Sequence, residues 1–151
     1  MENELSELLQ TAIYKEIASE AFYEAGQATT DDPGARALMR ELAEDERRHT
    51  ETLKQLRDRE CRPGASHSET VSNLMLSEHL TGGDTLKGAG LQETLLFAIK
   101  REQQAVEFYS RLMSALREAD AKQLCERLVH DELHHKLRLE TLYDDLFYQE
   151  D

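Results

Sequence analysis

The sequence predicts an all-α fold, a four-helix bundle with one long crossover between its second and third helices. Charged residues make up 32% of the 151 residues and hydrophobic residues 39%, and the few glycines and prolines fall near predicted helix ends or in one central stretch. Hydrophobic residues recur at helical spacing in four long segments. The second half of the chain also repeats the pattern of the first. We therefore expect one helical domain spanning residues 1–151.

Two separate segments share the same repeat offset. The segment AIYKEIASEAFY, which begins at Ala12, aligns with AIKREQQAVEFY, which begins at Ala98, 86 residues later. The same offset places LAEDERRH, from Leu42, on LVHDELHH, from Leu128. We infer two pseudo-symmetric copies of a helical hairpin, with repeat one at about residues 4–60, repeat two at about 91–149 and a crossover at about 61–90.

Helix-start and helix-end residues divide the repeats into four helices, each roughly 40 Å long. Asp32 is expected to cap the second helix, with Pro33 at its first position, and Asp120 is expected to cap the fourth. Short loops within each repeat make the paired helices antiparallel, whereas the crossover is long enough to return along the bundle. A short helix is expected inside the crossover, at residues 71–80. The four main helices are expected at about residues 4–28, 33–60, 91–117 and 121–148.

Charge and cysteine usage narrow the function class. The net charge of −13 argues against nucleic acid as a partner, because nucleic-acid binding requires a basic surface. Cys61 and Cys125 are isolated and no C-x-x-C pair is present, which indicates two reduced thiols. No apolar run is long enough to span a membrane, and the N-terminal residues lack the features of a secretory signal. We expect a cytoplasmic protein without a membrane partner.

The inward stripe of each predicted helix is apolar at its ends and polar at its middle. Six polar residues interrupt these stripes at a similar depth, namely Glu16, Glu46, His49, Glu102, Glu132 and His135. Four carboxylates in a core repel one another unless cations neutralise them, and two divalent ions carry the matching charge. A Glu from each of two helices with Glu-x-x-His from the other two is the ligand set of di-metal bundles, and it suits iron or manganese. The alternative is a polar seam whose members satisfy one another.

Neighbouring residues are expected to support these ligands. Asp45 and Asp131 each precede a ligand Glu and can accept the free ring N–H of a His on a facing helix. The hydroxyls of Tyr23 and Tyr109 can hydrogen-bond to the carboxylates and are the expected catalytic groups. The alternatives are surface charge for the aspartates and core filling for the tyrosines. Glu20, one turn after Glu16, is a candidate seventh ligand or a surface residue.

On these residues the chain resembles the ferritin-like superfamily, specifically its rubrerythrin and bacterioferritin branch. The resemblance implies two iron ions per chain, with manganese or a mixed pair as alternatives. It also implies that the reduced iron pair reacts with hydrogen peroxide or dioxygen. Rubrerythrins use this reaction to reduce peroxide, and ferritins use it to oxidise and store iron.

Two departures from rubrerythrins affect these expectations. Full-length rubrerythrins carry a rubredoxin domain with two C-x-x-C pairs, and because these are missing here we expect a separate, rubredoxin-like electron donor. Ala105 stands where rubrerythrins have a further glutamate that takes part in redox-linked ligand exchange. The leading expectation is a peroxide-reducing di-iron oxidoreductase that acts as a homodimer in oxidant defence. The alternatives are a ferroxidase that stores or passes on iron, and a helical interaction module with a vestigial site.

Overall fold

A computed structural model describes residues 2–61 and 90–148, and in these ranges the chain is helical, with no strand. The element bounds are α1 Glu2–Gly26, α2 Pro33–Glu60, α3 Leu91–Ala115 and α4 Ala119–Phe147, with a short 3-10 helix at Gln27–Thr29 after α1. The predicted all-α four-helix bundle is confirmed. The short helix predicted at residues 71–80 lies outside the described residues.

Of the two predicted helix caps, one is present and the other is not. Asp32 caps α2, because its Oδ2 accepts a hydrogen bond from the backbone N–H of Ala35 at 2.8 Å, and Pro33 opens the helix. The predicted cap at Asp120 is wrong. Glu118 precedes α4 without a capping hydrogen bond, and Asp120 lies inside the first helical turn, where its charge interacts favourably with the helix dipole.

The helices form two antiparallel hairpins, α1 with α2 and α3 with α4, and the hairpins meet through α1 against α3 and α2 against α4. Tyr23 of α1 bonds to Glu102 of α3, whereas Tyr109 of α3 bonds to Glu16 of α1. These reciprocal contacts require α1 and α3 to run in opposite directions. Consequently α2 and α3 run in the same direction, so the end of α2 and the start of α3 lie at opposite ends of the bundle.

Two apolar clusters fill the ends of the bundle and leave a polar layer between them. One cluster contains Leu9 and Ile13 of α1 together with Leu53, Leu112 and Leu128 from the other three helices. The opposite cluster is built by Phe22, Leu38, Leu42, Leu95 and Leu139.

Among the described residues no helix is long and apolar enough to cross a membrane.

Glycine is needed at the end of α1. A Cβ at Gly26 would lie 2.6 Å from Sδ of Met39 and 3.4 Å from Cγ2 of Thr94. The missing side chain therefore allows α1 to approach α2 and α3 closely at the end of the bundle.

We expect Leu128→Ala to lower the free energy of unfolding by about 2 to 5 kcal/mol, because the side chain is fully packed and its loss leaves a cavity. Glu126→Ala, on the exposed side of the same helix, should change it by less than about 0.5 kcal/mol. Urea unfolding of the metal-free proteins measures both. Equal effects would mean that α4 presents a different face to the core.

Candidate metal centre

The six predicted ligands meet at the middle of the bundle. Each of the four helices contributes one Glu, and α2 and α4 each add a His three residues later. All six residues are buried, and none of them is more than 6% exposed. Because three residues span almost one helical turn, the Glu and His of each pair share one inward face. The residues are Glu16, Glu46, His49, Glu102, Glu132 and His135.

The six residues form two overlapping sets of four, and within each set the potential ligand atoms all lie within 4.8 Å of one another. Glu46 and Glu132 belong to both sets. Glu16 and His49 complete one set, and Glu102 and His135 complete the other. Two carboxylates are therefore shared between the two sets, and each set has the residue types that can hold a metal ion.

Each histidine directs Nδ1 into the cluster. His49 Nδ1 lies 3.3 Å from Oε1 of Glu46 and 3.3 Å from Oε1 of Glu132. His135 Nδ1 lies 3.3 Å from the same atom of Glu132 and 3.6 Å from Oε1 of Glu102. These Nδ1 atoms have no hydrogen-bond partner of good geometry. Atoms that share one ion at about 2.1 Å lie roughly 3 to 3.5 Å apart, and three of these four distances fall in that range.

The outer nitrogen of each histidine bonds to an aspartate on the facing helix. His49 Nε2 lies 3.0 Å from Oδ2 of Asp131, and His135 Nε2 lies 2.9 Å from Oδ2 of Asp45. An aspartate in this position holds the proton on Nε2 and leaves Nδ1 free to bind a metal. The contacts between Asp131 and α2, and between Asp45 and α4, therefore have the geometry that the sequence predicted.

The two tyrosines bond to carboxylates across the α1–α3 interface. The Tyr23 hydroxyl donates to Oε1 of Glu102 at 2.5 Å, and the Tyr109 hydroxyl donates to Oε1 of Glu16. Burial, together with the neighbouring Glu102 and Glu16 charges, raises the pKa of both phenols well above the ordinary value. Both hydroxyls therefore stay protonated and keep one oxygen of each carboxylate occupied, which orients the other oxygen.

Unpaired buried atoms test whether metal fits this cluster. Among the described residues, eight buried side-chain nitrogen or oxygen atoms lack a hydrogen-bond partner. Seven of them belong to the six predicted ligands, and the eighth is Nε of Arg101. Buried polar groups are normally satisfied, so a concentration of orphaned acceptors at one point is unusual. Carboxylate and imidazole donors suit iron and manganese, and the cluster is compatible with metal binding.

Without metal, the carboxyls cannot all be ionised. Burial is the largest cause that raises the pKa of Glu16 and of Glu46, and it raises the pKa of Glu102 to about 8. Charge repulsion from Glu132 adds to each of these shifts. For Glu132 burial acts in the same direction, but contacts with both histidines outweigh it and lower the pKa. Glu132 therefore carries negative charge while its neighbours tend to hold protons.

Both histidines are stabilised in the charged form in the metal-free cluster. Burial alone would lower the pKa of His135, but contacts with Glu102 and Glu132 raise it to about 9. The pKa of His49 is raised for the same reason by Glu132, Glu16 and Glu46. Protons thus supply the positive charge that two metal ions would otherwise bring, and metal must displace them.

Two other residues near the site need separate mention. Glu20 is only partly buried, interacts with Glu24 and Arg47, and belongs to neither set of four. Arg101 lies against the cluster and was not predicted from the sequence. The available signal was the alignment of Arg101 with Lys15, since each basic residue directly precedes a ligand Glu in its repeat.

We expect the metal-free protein to lose stability as the pH rises from about 5 to about 9. The folded cluster keeps protons on Glu102, up to a pKa of about 8, and on His135, up to about 9, that the unfolded chain releases at lower pH. Glu132 acts in the opposite direction, but only in the acid range. Thermal unfolding after chelator treatment measures the trend. Glu102→Gln should flatten it and Glu107→Gln, an exposed change on the same helix, should not. A trend that rises with pH would contradict this electrostatic description.

Comparison with known proteins adds two findings. The family model described as Rubrerythrin matches residues 1–57, which cover α1 and most of α2. Curated proteins give no match to the chain. A solved structure of a hypothetical protein from Pyrococcus furiosus has a TM-score of 0.72 and is 24% identical, with 93% of this chain and 88% of that chain covered. At this identity the likeness establishes the fold.

The two findings are complementary. The family match falls on the repeat that contains Glu16, Glu46 and His49, and the structural match extends over both repeats. The first repeat is therefore similar to the Rubrerythrin family model, and the described helices share the fold of the solved structure.

Proposed function

We propose that this protein is a di-iron oxidoreductase that reduces hydrogen peroxide in oxidant defence, with dioxygen as the alternative oxidant. The proposal rests on seven buried carboxylate oxygens and imidazole nitrogens that lack a hydrogen-bond partner. They belong to two overlapping sets of potential metal ligands. The rubrerythrin match over the first repeat supports iron as the metal. The cytoplasm, which keeps thiols such as Cys61 and Cys125 reduced, is the proposed compartment.

The charge balance supports two divalent ions per chain. Four carboxylates carry four negative charges when they are ionised, and two ferrous ions neutralise them without help from protons. Glu46 and Glu132 are common to both sets and hold the two positions close together. When bound, an iron pair can supply two electrons together, which converts one hydrogen peroxide and two protons to two water molecules.

The protein's own side chains prepare this reaction. Asp131 and Asp45 keep each histidine in the tautomer that presents Nδ1. Tyr23 and Tyr109 hold protons at Oη and fix the outer carboxylates Glu102 and Glu16. The apolar clusters at both ends of the bundle keep bulk water away from the polar layer. These features support a site in which the ligand geometry is set before metal arrives.

A second candidate function is ferroxidation, with ferrous iron as the substrate that is stored or passed on. The favouring observation is Ala105, which packs against an apolar cluster where rubrerythrins have a further glutamate. Storage requires a shell of many subunits, so solution mass separates the two candidates. A non-catalytic interaction module is the remaining alternative, and the intact ligand set on both repeats argues against it.

We also propose that the protein acts as a homodimer that receives electrons from a separate rubredoxin-like protein. Leu133 and Leu137 of α4 are 45% and 59% exposed. The aligned positions in repeat one are the exposed, charged residues Arg47 and Glu51. At these two positions the second hairpin is apolar where the first is charged, which supports pairing of two copies. Light scattering that gives a dimer would speak against storage, and a large shell would reverse the order of the candidates.

Anaerobic titration of the metal-free protein with ferrous iron is expected to saturate at two ions per chain. Glu46→Gln should abolish paired binding, because Glu46 serves both positions. Glu20→Gln should leave two ions bound, because Glu20 lies outside both sets. Bound iron per chain is the measurement. Saturation at zero would show that the six residues form a self-satisfied polar seam, and loss of iron in Glu20→Gln would show a seventh ligand.

Rapid mixing of the iron-loaded, reduced protein with hydrogen peroxide is expected to oxidise the iron faster than mixing with dioxygen at equal concentration. Absorbance of the oxidised iron follows both reactions. Faster oxidation by dioxygen would favour the ferroxidase alternative. A reduced protein that is inert to both oxidants would contradict the catalytic proposal, but it would not contradict metal binding.

A further inference from the structure

Arg101 is anchored beside the carboxylate cluster by groups from the facing helix. It directly precedes Glu102 on α3, and its side chain extends toward α1. Nη2 donates a hydrogen bond to Oγ of Ser19 at 3.2 Å, and Cζ lies 4.9 Å from the ring centroid of Phe22. A cation placed over an aromatic face is attracted to it, so these two contacts hold the guanidinium in one place.

Among the described residues, Arg101 forms no direct ion pair with a carboxylate. Within the part of the chain that the structure describes, no carboxylate lies within ion-pair distance of the guanidinium, and Nε is buried without a hydrogen-bond partner. Burial lowers the pKa of Arg101, while Glu102, Glu46 and Glu16 act in the opposite direction. Arginine nevertheless keeps its proton in proteins, so a permanent positive charge lies beside the carboxylates.

We propose that Arg101 is a fixed counter-charge of the carboxylate cluster. In the metal-free protein it offsets part of the repulsion among the glutamates. In the metal-bound protein it repels the incoming cations and therefore lowers the affinity for divalent metal. The second statement rests on the proposed metal site, whereas the first concerns the metal-free fold alone. Arg101 is thus a positioning residue that sets the electrostatic potential of the site without contacting metal.

Repeat one has a related arrangement. Lys15, which aligns with Arg101, places Nζ 5.2 Å from the ring centroid of Phe108, and Phe108 aligns with Phe22. A cation next to a ligand Glu and over an aromatic ring therefore occurs in both hairpins. The recurrence supports a role for the charge, because either pairing alone would be explained equally well as local packing.

The test compares four proteins: the wild type, Arg101→Gln, Arg101→Lys and Lys100→Gln. Lys100 is the adjacent residue and is exposed, so Lys100→Gln removes the same charge outside the cluster. Manganous ion alone is the probe, because it needs no control of redox state. We expect Arg101→Gln to bind the ion about tenfold more tightly, the size that a partly screened interior charge supplies. Arg101→Lys and Lys100→Gln should stay within about twofold of the wild type.

Thermal unfolding provides an independent measurement. Arg101→Gln should lower the melting temperature of the metal-free protein more than that of the manganese-loaded protein, and Lys100→Gln should change neither by a comparable amount. Should Arg101→Gln not fold, Arg101→Met replaces it, because methionine keeps the aliphatic packing over Phe22. If neither uncharged variant folds while Arg101→Lys does, the need for charge is supported directly.

Two results would overturn the proposal. Unchanged manganese affinity in Arg101→Gln would show that the charge does not act on the site. Tighter binding in Arg101→Lys equal to that in Arg101→Gln would show that shape matters and charge does not. If the wild type binds neither manganese nor ferrous iron, the proposed function fails together with the metal half of this inference. Metal-free melting then decides the other half, since equal melting of Arg101→Gln and Lys100→Gln would overturn it as well.

Discussion

The structure depends on the repulsion among four carboxylates that the fold brings together in its interior. Burying one unpaired charge costs several kcal/mol, and four of them cannot coexist without positive charge from another source. Protons, histidines, arginine and metal are the available sources, and they compete for the same small volume. The side chains that surround the glutamates follow from this constraint. Tyr23 and Tyr109 donate hydrogen bonds, Asp45 and Asp131 hold the histidines, and Arg101 adds a positive charge.

Sequence reasoning captured the fold and the six-residue cluster because both depend on periodic spacing. Glu46 and His49 are three residues apart on a long amphipathic helix, so a shared inward face follows from helix geometry alone. Glu132 and His135 lie at the repeat offset from this pair, so the same prediction applied to them. Contacts across the bundle were harder to predict. The sequence indicated that each aspartate bonds to a histidine on a facing helix, but the antiparallel approach of α1 and α3 decided that each tyrosine bonds to the glutamate of the other repeat.

The misses have physical reasons of their own. Asp120 has the chemistry of a cap, but helix α4 begins one residue before it, and helix ends are set by tertiary packing as much as by local preference. The position of Arg101 beside the cluster was not predicted, because a basic residue on a charged helix normally points to solvent. Only the folded arrangement reveals that Ser19 and Phe22 receive its side chain from the neighbouring hairpin. Glu20, by contrast, sits one turn from Glu16, and the rotation of α1 turns it toward Arg47.

The reciprocal contacts have an evolutionary consequence. Four of the six candidate ligands are hydrogen-bonded by a residue of the other hairpin, as with His49 and Asp131 or Glu16 and Tyr109. A single ancestral hairpin could therefore have built this centre only by associating with an identical copy around a two-fold axis. Fusion of two such copies into one chain would make the association permanent and release the outer surfaces from symmetry. The divergence of Leu133 and Leu137 from Arg47 and Glu51 is the expected mark of that release, confined to positions that the buried centre does not constrain.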